Sequence, residues 1–479
     1  MREPTALARR GACLKLLRAV YCNGTAARYT SLHPWPMTNA AGATTRALLE
    51  QLYAAAVAAA APDAAVDRAL GHLSELHDRP VWLFGLGKAA HPMAAAAVES
   101  LRRRGRAPAG GLIVAPAPGP MPHRSLGLAV GDHPEPGARS FAAAEALARA
   151  AARVSPGGEA WVLLSGGATS LLGAPVNGIR PEHLMALYSL LLRSGLDITA
   201  MNRIRKRFSR WGAGRLAVAL APARVRVLVV SDVIGDDLAS IASGPCVPDP
   251  ATAGEVRADL ERADLWVQLP PALRDHLSAA AEGRAPETPK PGDPAFAQVE
   301  TRLIASNHLA LEAAAARATA LGLAPRLMQP VLSGEAAETG RQIATTVLSY
   351  CRGSGSQPAT SPACLIWGGE TTVTLGSGPS GLGGRSQELA LAAAQVLAQA
   401  QPGTSPAILA GGTDGRDGPT DAAGAIVDRS TWDAIRRAGR DPAGDLSAHN
   451  AYPALDAVGA LIRPGLTGTN VMDVVFGLA

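Results

Sequence analysis

The feature that most constrains this chain is a repeated alternation of short apolar runs with Ala-rich stretches of helical periodicity, punctuated by Gly-, Ser- and Asp-rich turns. Pro80–Leu86, Gly111–Ala115, Ala160–Leu164 and Val225–Val230 read as strands, and 88–104, 138–153 and 181–195 as helices. Such alternation implies an α/β fold, a mainly parallel sheet with helices on both faces. The pattern lapses over 281–298, where Pro286, Pro289, Pro291 and Pro294 predict a linker or long surface loop. It resumes with a strand at Leu303–Ser306, helices over 308–321 and 336–350, and strands at Ala363–Ile366, Thr371–Leu375 and Ala407–Ala410. Residues 352–362 read as a mobile surface loop. The division this suggests is two α/β lobes, 37–285 and 300–479, without an internal repeat.

A 47% apolar content supplies material for two cores, and only 4% of residues are aromatic, so helices must pack closely on small side chains. The pI of 9.1 invites a nucleic-acid reading. However, Arg2, Arg9, Arg10, Lys15, Arg18 and Arg28 stand against Glu3 alone in residues 1–36, which accounts for the whole net charge of +5. The body from Met37 onward is neutral and has no basic stripe, which excludes a polyanion partner. Residues 1–36 read as an extension, either disordered or a mis-assigned start before Met37, with an Arg-rich targeting segment as the alternative. No apolar run reaches the ~18 residues of a membrane span. Five scattered cysteines without metal spacing (Cys13, Cys22, Cys246, Cys351 and Cys364) fit a reducing cytoplasm.

In doubly wound sheets the loops at the carboxyl ends of strands carry ligands. Five loops here are candidates. In Gly85-Leu86-Gly87-Lys88-Ala89-Ala90, glycines allow close approach of an anion to a helix start. Lys88 is one of only four lysines, so a compact charge for phosphate or carboxylate is the functional reading and a surface lysine the bland one. The turn also matches the G-x-G-x-x-A dinucleotide fingerprint, but no Asp or Glu lies between Glu99 and Asp132 to hold a ribose. Ser165-Gly166-Gly167-Ala168-Thr169-Ser170 can form a backbone nest for phosphates. The segment from Ser231 to Asp237, with Asp232 directly after a buried strand, offers a metal ligand or a base. Glu370 follows Gly368-Gly369, and Gly383-Gly384-Arg385 opens a helix with a cation suited to clamping an anion. The last loop, 411–421, interleaves Asp414, Asp417 and Asp421 with glycines. It lacks the Glu of a calcium loop and suits Mg²⁺ with nucleotide phosphates better.

Taken in order, these segments resemble the glycerate 2-kinase family that carries a C-terminal MOFRL domain, a family also labelled hydroxypyruvate reductase. The resemblance rests on GLGKAA, GDHPEP (131–136), LLSGGATSLL (163–172), NRIRKRFSRWGAGRLA (202–217) and SDVIGDDLASIASGPCVPDP (231–250). It continues through LSGEA (332–336), GGETTVTLG (368–376), GGRSQELAL (383–391), GGTDGRDGPTDAAGAIVD (411–428) and LTGTNVMD (466–473). It implies ATP-dependent phosphorylation of D-glycerate to 2-phosphoglycerate with Mg²⁺, an NAD(P)H-dependent hydroxypyruvate reductase using the Gly85–Ala90 turn being the alternative. It also implies a Rossmann-like lobe and a smaller MOFRL lobe with the active site in the cleft between them. By motif position the catalytic residues are Lys88 and Arg385. Substrate and nucleotide would be bound by Gly85, Gly87, Ser165, Gly166, Gly167, Asn202, Arg205, Glu370 and Gly384. Asp232 and Asp414 are the metal candidates, with the division between base and ligand left open. Partners would be glycerate and ATP, with no nucleic acid or membrane and with a homodimer left open. Three positions depart from the family pattern. Ala168 replaces a glycine, at a cost of order 1 kcal/mol should that position need positive φ; Ser386 replaces an Asn; and Asn450-Ala451 stands where Asn-Asp is usual.

Overall fold

A computed structural model describes residues 44–71, 78–352, 361–376 and 380–479; the readings of 1–36 and of 353–360 lie outside these residues. Residues 44–479 form one compact unit. Two helices open it, α1 (Thr45–Ala60) and α2 (Pro62–Gly71). The first sheet follows: β1 (Val81–Leu86), β2 (Gly110–Ala115), β3 (Leu126–Val130), β4 (Glu159–Leu164), β5 (Arg224–Val230) and β6 (Val299–Ala305). Its order is β3-β2-β1-β4-β5-β6 and every pairing is parallel. The order reverses between β1 and β4, and at such a switch point the loops diverge and leave a crevice.

Helices α3 (Ala90–Arg103), α4 (Ala138–Ala151), α5 (Ala168–Leu171), α6 (Pro181–Leu192), α7 (Ile198–Phe208) and α8 (Arg215–Leu220) lie between β1 and β5. α9 (Ala253–Arg262) and α10 (Pro271–Ala281) precede β6. β1 and β4 are buried along their whole length because helices cover both faces, which is why they read as unbroken apolar runs. On one face Phe84, Leu86 and Val162 pack with Ala143, Ala144 and Leu147 of α4. A separate cluster joins Leu184 and Leu187 of α6, Ile204 and Phe208 of α7, Val256 and Leu260 of α9, and Leu273 and Leu277 of α10.

The second sheet comprises β7 (Ala324–Leu327), β8 (Ala363–Gly369), β9 (Ala407–Gly412), β10 (Gly424–Asp428), β11 (Leu461–Ile462) and β12 (Asp473–Leu478), in the order β11-β10-β9-β12-β8-β7. Helices α11 (Asn307–Ala320), α12 (Ala336–Cys351), α13 (Arg385–Leu397), α14 (Thr431–Arg437), α15 (Pro442–Ser447) and α16 (Ala451–Asp456) complete the chain. The faces turned toward α1 and α11 share one core with the first sheet, in which Leu83, Ile113 and Trp161 join Ile366, Leu409 and Phe476. Leu49 and Leu52 of α1 are fully buried there. Each contributes about 2 kcal/mol relative to exposure.

Three expectations change. The second sheet is not mainly parallel: only β7–β8 is, and β12 runs antiparallel to both β8 and β9. β9 and β10 are joined by a loop without a helix, which permits an antiparallel pair, and the final strand returns from the loop end of the sheet. The proline-rich segment does not divide the sheets, since β6 beyond it closes the first one. Nor is it a free linker: Thr288 is buried and donates to Asp249 at 2.9 Å. Residues 371–375 form no strand but make a single bridge, Thr372 to Glu335. β12 begins opposite Gly369, so beyond that point no neighbour on its side continues the ladder.

Candidate active site

The turn after β1 is tied to the loop after β4. Gly87 has φ +124, and a Cβ there would lie 2.3 Å from Ser165 Oγ, so only glycine fits this crossing. The N–H groups of Gly87, Lys88 and Ala90 donate to Val114, Gly166 and Gly87 carbonyls, and that of Ala89 to Ser165 Oγ at 3.0 Å. The first turn is therefore no open anion nest: protein acceptors fill its amides, and its side chain at 88 is what remains for a ligand. The open nest is the second loop. Among the described residues no protein acceptor takes the N–H groups of Gly166, Gly167, Ala168 or Thr169.

Lys88 lies over this nest, since a Cβ on Gly167 would meet its Cγ and Cε at 3.2 Å and the ring of His133 at 3.2 Å. Burial lowers the His133 pKa to about 4, with Lys88 adding to the drop, so the imidazole beside the ammonium is neutral. The carboxylate of Asp232 reaches over Gly166 from the end of β5, where a Cβ would sit 1.8 Å from Oδ2. Burial lifts the Asp232 carboxyl above the ordinary carboxylate range; Lys88 opposes the rise and Glu370 adds to it. Glu370 belongs to the second sheet, at the end of β8. The charge of Glu370 is thus felt at Asp232 across the two sheets.

Arg385, the first residue of α13, donates from Nε and a terminal nitrogen to Asp473 at 2.6 and 3.0 Å, and from its other terminal nitrogen to Glu370. Although burial alone would lower it, the Asp473 carboxylate with Glu370 and Asp417 holds the guanidinium pKa above its usual value. Asp473 pairs in register with Gly369 and Gly412, the last residues of β8 and β9, which sets its carboxylate among the loops that follow those strands. Burial pushes Asp473 up to about 6, against the pull of Arg385 and with Glu370 and Asp414 adding to the rise. A Cβ on Gly412 would lie 3.2 Å from Asp414 Oδ1 and 3.4 Å from Asp473 Oδ1, so the two carboxylates share this corner. Asp417 accepts from the Ser386 and Gln387 amides at 3.1 and 2.7 Å and anchors the start of α13; burial pushes it up to about 7. Gly384 makes that approach possible, because a Cβ would lie 2.3 Å from the Asp417 carboxylate.

Lys88, Ser165, Gly166, Gly167 and Asp232 therefore gather at the switch point, and Glu370, Gly384, Arg385 and Asp414 about the ends of β8 and β9 and the start of α13. Gly85 is buried in β1 with Ala90 O 3.0 Å from the position of a Cβ, which makes it a packing residue. Asn202 and Arg205 do not join the cluster by any contact among the described residues. Asn202 lines a separate cleft of about 410 Å³ with Lys206, Asp237 and Ser240, and the Arg205 guanidinium stacks over Tyr188 at 5.0 Å. Ala168 carries no strain: it starts α5, and the left-handed residue is Gly167 at φ +84. Sequence reasoning passed over Asp473 and Asn307, although Asp473 closes the LTGTNVMD segment. Its only signal was an acid immediately before an apolar strand.

The chain matches a family described as a domain of unknown function, DUF4147, over residues 48–278, and the MOFRL family over residues 363–473. It is 39% identical to a glycerate 2-kinase from Pyrococcus horikoshii over 72% of this chain and 76% of that one. It is 36% identical to a D-glycerate 2-kinase from Thermotoga maritima over 87% and 94%. A relative from Agrobacterium vitis, 38% identical over 90% and 93%, carries a provisional hydroxypyruvate reductase name. A crystal structure of a glycerate kinase from Thermotoga maritima superposes with TM-score 0.79 at 35% identity, covering 90% of this chain and 98% of that chain. With identity at this level over most of their length, and with both lobes matched in order, the chain belongs to the glycerate 2-kinase family.

Proposed function

We propose that the chain transfers the γ-phosphoryl group of ATP to the 2-hydroxyl of D-glycerate, giving 2-phosphoglycerate and ADP. The reading is supported by two cations, Lys88 over an open amide nest beside Asp232, and Arg385 among the carboxylates of Glu370 and Asp473. Phosphoryl transfer needs little covalent chemistry from the protein and depends on positioning and charge stabilisation. Lys88 and the amides of Gly166 to Thr169 take an anionic oxygen, either phosphoryl or substrate carboxylate. Arg385 stabilises charge as well. Asp232, desolvated and with a raised proton affinity, is the group suited to accept the hydroxyl proton. Asp473 is committed to Arg385, which leaves Asp414, only partly buried, as the carboxylate for Mg²⁺. A carboxylate such as Asp414 suits Mg²⁺, which is usually held by one or two carboxylates together with substrate phosphates. Bound there, the ion would neutralise phosphate charge.

The reductase alternative fares poorly on two counts. A dinucleotide pyrophosphate needs free amides in the turn after β1, and those of residues 87–90 are occupied. The ribose needs an acid after β2, where the chain reads Ala115-Pro116-Ala117-Pro118-Gly119-Pro120. The test is to measure ADP formation from ATP with D-glycerate beside NADH and NADPH oxidation with hydroxypyruvate. Glycerate-dependent ADP without reduced-nucleotide oxidation is expected; the reverse pattern would overturn the reading.

A further inference from the structure

Arg385 spends its donors unevenly. A guanidinium has five N–H groups. Nε and one N–H of a terminal nitrogen go to the two oxygens of Asp473, and one N–H of the other terminal nitrogen goes to Glu370. One N–H therefore remains on each terminal nitrogen, and the one left on the nitrogen that meets Asp473 points off the end of the guanidinium, where it can donate to an oxyanion. The direction of that end is set by the Asp473 carboxylate along the adjacent edge, from Nε to one terminal nitrogen.

Asp473 is in turn held from outside its own sheet. The side-chain amide of Asn307 donates to the carbonyls of Val471 at 2.8 Å and Asp473 at 3.0 Å. Asn307 is buried and opens α11, two residues after β6 of the first sheet. Gly368 makes room for it, since a Cβ there would lie 1.9 Å from Asn307 Oδ1. One buried side chain thus ties the end of the first sheet to the start of β12, where Asp473 sits.

We propose that Asp473 and Asn307 are positioning residues: Asn307 fixes the start of β12 from the first sheet, and Asp473 turns the free end of the Arg385 guanidinium toward the transferring phosphoryl group. This rests on the kinase reading above. Misplacing a reacting contact by about 1 Å costs of order 100-fold in rate. Asp473→Asn keeps the shape and loses the bidentate carboxylate. Its kcat is expected to fall about 100-fold, while KM for glycerate and ATP changes less than about threefold. In Arg385→Ala, added guanidinium ion restores part of the turnover only while Asp473 is present to seat it, so the Arg385→Ala/Asp473→Asn double variant resists rescue. Asn307→Ala leaves every charge in place and is expected to lower kcat about tenfold, again with KM nearly unchanged. It decides the matter should Asp473→Asn melt early. Equal guanidinium rescue in both backgrounds, or full kcat in folded Asp473→Asn or Asn307→Ala, would overturn the assignment alone. Wild-type protein that forms no ADP with glycerate overturns the kinase reading and the assignment with it.

Discussion

Lys88 and Asp232 illustrate how much a single side chain draws from its surroundings. Lys88 projects over Gly167 beside an imidazole that burial keeps neutral, so the ammonium meets no second cation there. Asp232 faces Lys88 from β5, but burial outweighs that attraction and lifts its pKa. A base must be ionised to accept a proton, and a raised pKa moves its ionisation to higher pH. The acid limb of the kcat/KM profile for glycerate is therefore expected above the ordinary carboxylate range of about 4. A pH series that stays flat down to that range contradicts Asp232 as the proton acceptor. At this scale Lys88 was legible as a scarce lysine in a glycine-rich turn. Asp473 was not, because only the pairing of β12 between β8 and β9 brings it to Arg385.

Among the elements, α7 shows how a charged helix is seated. Lys206 and Arg207 are both buried and converge on Asp249, which is wholly inaccessible; Lys206 Nζ lies 2.9 Å from Oδ1. Thr288 and Lys290 from the proline-rich segment close the cluster, with Lys290 Nζ 3.2 Å from the Asp249 carbonyl. Removing one partner of a buried ionic cluster leaves uncompensated charge, at a cost of about 3–5 kcal/mol. Asp249→Ala is expected to lose about that much in urea unfolding, whereas a loss below about 1 kcal/mol would show the cluster to be solvated. The prolines marked an interruption of periodicity correctly but concealed this anchoring, which depends on contacts about forty residues away. The strands buried on both faces were readable from their apolar runs. The antiparallel sense of β9, β10 and β12 was not, since apolar runs carry no direction and the connections decide it.

For the whole molecule, the first sheet has the order of a dinucleotide fold, yet its switch point is built differently. The turn after β1 is closed by Ser165 and Gly166, the nest moves to the loop after β4, and the second sheet supplies Glu370, Arg385 and Asp473. A common core through α1 and α11, together with Asn307, ties the two sheets together. Alternation alone pointed to α/β architecture, and the ordered motifs to the family; the closing of the first nest needed coordinates. In the proposed reaction Lys88 stabilises negative charge during phosphoryl transfer to glycerate. The most direct test is turnover of Lys88→Ala, measured as glycerate-dependent ADP formation in protein whose melting temperature matches wild type. A fall in kcat of about 10²–10³-fold is expected, the scale of losing one preorganised charge contact in the transition state. Near-normal kcat in that folded variant would contradict the claim.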